Sequence, residues 1–347
     1  MFVFAGIDEA GYGPMFGPLV VGRFVFGLEG AGSHDKAAQS TEHRDAAPDL
    51  WAILEKAVCR NLKSARRGRI AINDSKKLYT SREGKGLSAL EMGVLTFAAL
   101  AKKRPRTLDH WLDLMGENAH HNLSKLPWYE ASEARPWNKV PKALTEGQVA
   151  VARSMLAATA RQVQVKALDV GARVVFEDRF NEMVGATRSK AATSFTFVAD
   201  HLQNIWRQFG EQRPLVIVDR QSGRTHYRGM LAINFPHEKL TVEYEDDTGS
   251  AYTIESKSTG DKQSPRAMTI RFEVDADAHH MPVALASMVS KYTRELLMAR
   301  FQAWFTEHAP QIKPTAGYAR DAARFWKEIQ PTLNNMTIEP DRLRRRV

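Results

Sequence analysis

The sequence predicts an α/β fold, a single body in which strands alternate with helices and insertions interrupt them. Three observations predict it. Two runs near the N-terminus, residues 2–8 and 18–26, are rich in Val and Phe and flank a glycine-rich turn, Gly11–Gly17. A further run, Leu215-Val216-Ile217-Val218, is apolar without a break, as a buried strand is. Helical patterns separate the strands. Phe195, Val198, Leu202, Ile205, Trp206 and Phe209 recur at helical spacing within 187–209, and a long helix is expected over 283–307. Strands and helices in alternation are the pattern of an α/β body.

The remaining elements follow in chain order. Residues 29–49, with Gly, Ser, His, Asp and Ala46-Ala47-Pro48, read as a surface loop. Leu50, Ile53, Leu54, Ala57 and Val58 predict a helix over 49–62, followed by the basic run Lys63–Arg69. Ile70-Ala71-Ile72 leads into Asn73-Asp74-Ser75-Lys76-Lys77-Leu78, then a helix is expected over 81–92 and a return to the sheet at 93–100. Residues 102–142 are the least regular, holding Trp111, Trp128, Trp137, four prolines and His110, His120 and His121. They offer no clear zinc ligand set and read as a tryptophan-anchored insertion packed on the main body. A helix is predicted over 145–163, a short strand at Val174-Val175-Phe176, and a β-rich section over about 240–275 with turns at Gly249 and Gly260. A shorter helix is expected over 318–328, and Arg342-Leu343-Arg344-Arg345-Arg346 reads as a basic tail.

Composition narrows the function. With 43% hydrophobic and 26% charged residues, the 347-residue chain is globular rather than disordered. No run approaches the ~18 apolar residues of a membrane span, so no membrane partner is expected. The opening Met1–Gly6 lacks the basic n-region of a signal peptide, and a cytoplasmic location is expected. One cysteine, Cys59, excludes an internal disulfide and a multi-cysteine zinc site. Lys and Arg number 49 against 40 Asp and Glu, a net charge of +9 that suits a polyanionic partner.

Two aspartates stand where strands end. Asp8 and Glu9 close the first strand beside Gly11 and Gly13, and adjacent strand residues point to opposite faces, so the pair converges only where the strand gives way to the turn. Asp219 closes the buried run 215–218. Each is either an acidic turn residue or a ligand for a hard cation such as Mg²⁺; together on neighbouring strands they make half of a two-metal cluster. Asn73–Lys77 reads either as a helix cap or as a phosphate-contacting loop. In the helix at 283–307, the small residues Ala284, Ala286, Ser287 and Ser290 allow close approach to a sheet, and Glu295 is either on its inner side or in a solvated pair with Arg294.

The order of these motifs resembles the ribonuclease HII/HIII family. The resemblance is carried by Gly6-Ile7-Asp8-Glu9-Ala10-Gly11-x-Gly13-Pro14, by Asn73-Asp74-Ser75-Lys76-Lys77-Leu78, by the apolar strand ending in Asp219, and by Ala286-Ser287-Met288-x-x-Lys291-Tyr292-Thr293-Arg294-Glu295. It covers about half the chain. Gly317-Tyr318 resembles the family's Gly-Tyr pair after that helix. The resemblance implies a ribonuclease H-like mixed sheet flanked by helices. It implies one catalytic domain over 1–330, with insertions near 27–70, 102–145 and 240–272, and a basic tail over 331–347.

The implied activity is hydrolysis of the RNA strand, or of ribonucleotide junctions, in RNA–DNA hybrids. Two Mg²⁺ or Mn²⁺ ions would be held by Asp8, Glu9, Asp219 and Glu295, in a protein expected to act as a monomer. Gly11, Tyr12, Gly13, Ser75, Lys76, Lys77 and Tyr318 would meet the substrate. Two departures stand out. Glu295 occupies a position that is normally aspartate, one methylene shorter, so Mn²⁺ is expected to be tolerated better than Mg²⁺. Tyr12 replaces the usual Arg or Lys in a loop whose backbone reads the ribose 2′-OH. Asp275, Asp277 or Glu273 would be the substitutes if Glu295 is not a ligand. A non-catalytic nucleic-acid-binding protein on the same fold is the alternative.

The basic run Arg60–Arg69, with Lys76, Lys77 and the Arg342–Arg346 segment, should give duplex binding a steep salt dependence. Each phosphate contact removed should flatten the slope of log K against log salt by roughly one. Charge reversal at Arg66 and Arg67 checks this, and an unchanged slope would mark the run as solvated surface.

Overall fold

A computed structural model describes residues 1–29, 47–65, 68–79, 86–116, 123, 125–130, 138–221, 223–257 and 264–346. Arg66, Arg67, His120, His121, Trp137, Gly260 and the start of the helix expected at 81–92 lie outside the described residues. Seven strands form one mixed sheet: β1 (Phe2–Ala10), β2 (Leu19–Leu28), β3 (Val165–Val175), β4 (Leu215–Asp219), β5 (Lys239–Asp246), β6 (Gly249–Glu255) and β7 (Ala267–Glu273), in the order β3-β2-β1-β4-β7-β6-β5. β1 runs antiparallel to β2 and parallel to β4, and β4 runs parallel to β7.

The helices used below are α1 (Ser75–Leu78), α2 (Gly86–Leu100), α3 (Glu146–Gln162), α4 (Glu177–Thr187), α5 (Lys190–Phe209), α6 (Met281–His308), α7 (Ala319–Met336) and α8 (Pro340–Leu343). Alternate residues of β1 feed two cores, as a period of two requires. Phe4 joins the core that contains α2 and α6, while Val3, Ala5 and Ile7 join the core that contains α5. No described helix is long and apolar enough to cross a membrane.

α6 sits directly on the sheet. Every residue from Met281 to Ser290 is buried, and the small residues predicted to allow close approach do so. A Cβ added at Gly6 would lie 2.2 Å from the Pro282 carbonyl carbon and from the Val283 nitrogen. One at Gly22 would lie 2.5 Å from Ser290 Oγ and 2.6 Å from the Ala286 oxygen.

Several expectations are corrected. Residues 93–100, read as strand, continue α2, because a short apolar run fits a buried helix as well as a strand. The helix expected over 49–62 is only Leu50–Ile53, capped by Asp49, before a short strand at Val58–Cys59 that pairs with Ile70–Ala71. The strand at 174–176 is the end of the longer edge strand β3, whose polar Lys166, Asp169 and Arg173 hid it. The helix at 187–209 is interrupted at Arg188, and Ser189 caps α5 by accepting the Ala192 N–H. Residues 331–346 are not a free tail. α7 runs on to Met336, α8 follows, and Arg345 is buried. In the 102–142 stretch, Trp111 and Trp128 are buried in the core, and Trp111 Nε1 donates to Thr293 Oγ1 on α6.

Gly6→Ala should destabilise the fold by about 3 kcal/mol, the upper end for overpacking, because backbone rather than a flexible side chain stands in the way. Gly13→Ala, with no atom within 4 Å of its Cβ, is the control. Equal denaturation midpoints for the two variants would contradict this seating of α6.

Candidate active site

Parallel pairing of β1 with β4 delivers both strand-end aspartates to the same edge. Ile7 is in register with Val218, so Asp8 and Asp219 are the next residues of adjacent strands pointing the same way along the sheet. They line one pocket of about 300 Å³ with Glu9, Gly11, Tyr12, Gly13, Asp74, Ser75, Lys76, Asp275, Asp277, Ser287, Lys291 and Tyr318. A cavity of about 390 Å³ between α2 and α3 is larger, but Glu146 is its only carboxylate and it gathers no acidic cluster.

The pocket's carboxylates are held in place by backbone. Asp8 Oδ1 accepts the Glu9 N–H at 2.7 Å, and Ser290 Oγ of α6 donates to the Asp8 carbonyl at 3.0 Å. Asp219 Oδ1 accepts the Ala276 N–H at 2.9 Å. Ser75 Oγ and Ser287 Oγ are 3.0 Å apart and tie α1 to α6 beneath the pocket. Asp74 caps α1 by accepting the Lys76 N–H, so the segment is a helix cap, and its Asp74, Ser75 and Lys76 are also pocket wall.

Electrostatically the site gathers an excess of negative charge, with Asp8 buried and Glu9, Asp219 and Asp277 half-buried. Burial, then repulsion from Asp219 and Glu9, pushes Asp8 well above the usual aspartate range, against a hydrogen bond from Ser287. Burial and Asp219 push Glu9 to about 7, opposed by a hydrogen bond from Gln221 and by Lys76. Burial raises Asp219 to about 6, against the Ala276 N–H, with Asp277 and Asp275 adding repulsion. Asp277 is raised as well, by burial first and then by Asp74, while Lys76 and Lys77 pull it down.

Glu295 is not in this pocket. Its Oε2 accepts the Tyr79 hydroxyl at 2.8 Å and its Oε1 accepts Lys291 Nζ at 2.7 Å. The carboxylate therefore anchors Lys291, which does line the pocket, and Asp277 stands on the acidic side instead. Lys77 is exposed outside the pocket lining. Tyr318 lies under the Arg294 guanidinium, 5.2 Å from its ring centroid. Gln221, in the turn after β4, also reaches the site by its hydrogen bond to Glu9, and no motif in the sequence marks it.

No protein-family model and no curated protein matches the chain. Solved structures that it resembles over nearly its whole length include ribonucleases HII and HIII. Ribonuclease HII of Archaeoglobus fulgidus, solved in complex with PCNA, shares 16% identity at a TM-score of 0.40, over 99% of this chain and 95% of that one. Ribonuclease H2 of Pyrococcus horikoshii OT3 shares 14% at 0.37, over 99% and 92%. Bst-RNase HIII, solved in complex with Mn²⁺, shares 11% at 0.40, over 100% and 66%.

The donor set suits a hard divalent cation, since it is all oxygen and its negative charge exceeds the cations beside it. Among the described residues, no three His, Cys, Asp or Glu side chains stand ready as a metal cage, so the carboxylates must turn together to form one. The raised values set the sign of the pH response. Groups whose folded values exceed their unfolded ones bind more protons when folded, so the cation-free protein loses stability as pH rises through about 4 to 7. Melting in EDTA should therefore give a falling Tm from pH 5 to 7.5. Added Mg²⁺ or Mn²⁺ should raise Tm more at pH 7.5 than at pH 5, and Asp8→Asn should raise the EDTA value at pH 7.5. A Tm in EDTA that climbs over this range would contradict the placement.

Proposed function

We propose that the chain is a divalent-metal-dependent endonuclease that hydrolyses the RNA strand, or ribonucleotide junctions, of RNA–DNA hybrids. One observation carries the reading: Asp8, Glu9 and Asp219 are gathered in a single pocket at the ends of two adjacent parallel strands, beside a glycine loop and two lysines. A scaffold has no physical need to bury like charges together, and the arrangement is costly unless a cation neutralises them.

Asp8, Glu9, Asp219 and Asp277 would hold the metal ions. Bound there, a pair of divalent ions supplies an activated water and stabilises the leaving oxygen. The chain's own groups do the rest. Lys76 and Lys291 offer point charges to phosphate, and Glu295 keeps Lys291 turned to the pocket. The backbone at Gly11–Gly13 approaches the ribose, because Gly13 puts no side chain in the open space beside it. Tyr12 and Tyr318 line the pocket, where an aromatic ring can support a sugar or base. Tyr12 in place of a cation favours a second reading, altered substrate choice on the same site, which a substrate panel separates from the first.

That panel uses labelled RNA–DNA hybrid, DNA with one ribonucleotide, and plain duplex DNA, each with Mg²⁺ and with Mn²⁺. Asp219→Asn should lower cleavage of the preferred substrate by a hundredfold or more, about 2.7 kcal/mol in the barrier. Asp277→Asn should follow it. Glu295→Gln should have the smaller effect, under about tenfold, since it only loosens Lys291. Loss ranked the other way, with Glu295→Gln the most damaging, would return the fourth ligand to Glu295. A parent protein that binds hybrid but cleaves none of the three would leave only the binding reading.

A further inference from the structure

The C-terminal segment is bound into the body along a short path that ends at the glycine loop. Asn181, one turn along α4 from Glu177, donates from Nδ2 to the carbonyls of Asp341 and Arg344, each at 2.8 Å, and accepts the Arg346 N–H at 2.7 Å. The Arg345 N–H donates to the Met15 carbonyl at 2.9 Å. The Arg345 guanidinium, in a residue only 1% exposed, donates from Nη2 to the Gly11 carbonyl at 2.6 Å and lies 4.8 Å from the Phe180 ring centroid. The rest of the loop is gripped from the same side. Gly17 N–H donates to Glu177 Oε1 at 2.9 Å, Arg294 Nη2 donates to the Phe16 carbonyl at 3.0 Å, and Met15 N–H donates to the Gly317 carbonyl at 2.8 Å.

Arg345 is an expensive way to fill this space. Its Nε and Nη1 have no hydrogen-bond partner among the described residues, and a buried donor without an acceptor is destabilising. A methionine would pack against Phe180 without that penalty. What only the guanidinium supplies is the bond to the Gly11 carbonyl. In a planar trans peptide the carbonyl and the following N–H point in opposite directions. Holding the Gly11 carbonyl inward therefore turns the Tyr12 N–H outward, to the side where Gly11, Tyr12 and Gly13 line the pocket. Gly11 makes the turn possible, with φ of +83° and no room for a Cβ, which would meet the Pro18 oxygen at 2.6 Å.

We infer that Pro340–Arg346 is a positioning strap for the glycine loop: docked Arg345 sets the Gly11–Tyr12 peptide so that the Tyr12 N–H is presented to an oxygen of the substrate's sugar–phosphate backbone. This rests on the reading of the pocket as a nuclease site. Asn181 fastens the strap from outside the loop, and Arg345 is a positioning residue that acts through the backbone it holds.

The test compares the full chain with Arg345→Met, Arg345→Lys, Asn181→Leu and, as a control, Arg179→Ala on the same helix as Asn181, whose exposed side chain pairs with Glu182. Amide hydrogen exchange is read at Met15, Phe16 and Gly17, together with binding of hybrid and of the same-sequence DNA duplex, and with kcat and KM. Arg345→Met and Asn181→Leu should each speed exchange at those three amides on the order of tenfold, the scale of one lost charge-assisted hydrogen bond, and leave β1 and β2 unchanged. Both should raise KM for the hybrid more than they lower kcat. Arg345→Lys should recover part of the loss, and Arg179→Ala should behave as the parent. Weakening confined to hybrid identifies a ribose hydroxyl as the acceptor, and equal weakening on both duplexes identifies a phosphate oxygen. Loop exchange at the parent rate in Asn181→Leu would overturn the strap even if Arg345→Met fails to fold. A loosened loop with unchanged KM would overturn its role toward substrate. If the parent cleaves nothing in the panel, the nuclease reading fails, and the exchange rates still decide whether the strap holds the loop.

Discussion

The seating of α6 on β1 and β2 is the constraint on which the rest of the molecule depends. Helices ordinarily rest on sheets through a layer of side chains. Here the first turns of α6 meet backbone, because Gly6 and Gly22 leave no Cβ and the helix answers with Ala286 and Ser290. That closeness lets Ser290 Oγ reach the Asp8 carbonyl and lets Ser287 touch both Ser75 and the Asp8 carboxylate. A helix one side chain further away would lose all three contacts. It would also withdraw Lys291 and the residues before Met281, where Asp277 and the Ala276 N–H belong. The packing of small residues and the geometry of the acidic pocket are thus one feature.

The same closeness explains the charge state of the pocket. α6 covers Asp8, which is buried, and its like-charged neighbours act on it through an interior that screens poorly. The fold does not relieve this with a salt bridge to Asp8. It places Lys76 and Lys291 at the pocket wall and leaves the acidic floor in excess. Glu295 shows the same logic from the other direction. Its negative charge is already matched by Lys291 and the Tyr79 hydroxyl, which makes it a poor candidate for a second, competing cation.

Legibility from the sequence followed the length scale of each signal. Asp8, Glu9 and Asp219 were readable because an apolar strand announces its own end, and two parallel strands carry their ends to one edge. The small face of α6 was readable because close packing leaves a compositional mark. Glu295, the carboxylate that the resemblance offered on α6, lies outside the pocket lining, whereas Asp277, just before α6, is part of it, and nothing local marks that chain reversal. Gln221 was hidden because its effect on Glu9 comes from a turn residue with no pattern of its own. Residues 93–100 went wrong for a different reason: a short apolar run buried on all sides has no period to read. Five arginine and leucine residues at the C-terminus looked like a solvated tail, since composition records charge and not the partners that bury it.

Those partners belong to a second buried set of charges, behind the glycine loop rather than in front of it. Glu177 is pushed to about 7 by burial, with the Tyr129 hydroxyl, Arg345 and the Gly17 N–H pulling it back. Arg345 is pulled down to about 10 by burial, with Glu177 supporting its charge and Arg294 opposing it. These groups come from four distant parts of the chain and converge on one stretch of backbone, Gly11 to Gly17. A hydrophobic filling would have been more stable. It would also have left the loop's carbonyls and N–H groups without partners on their inner side, free to rotate between orientations. Charged donors and acceptors fix peptide planes as apolar contacts cannot, because a hydrogen bond has a direction and packing does not. The buried charges behind the loop thus make its orientation definite, as the carboxylates before it make its chemistry specific.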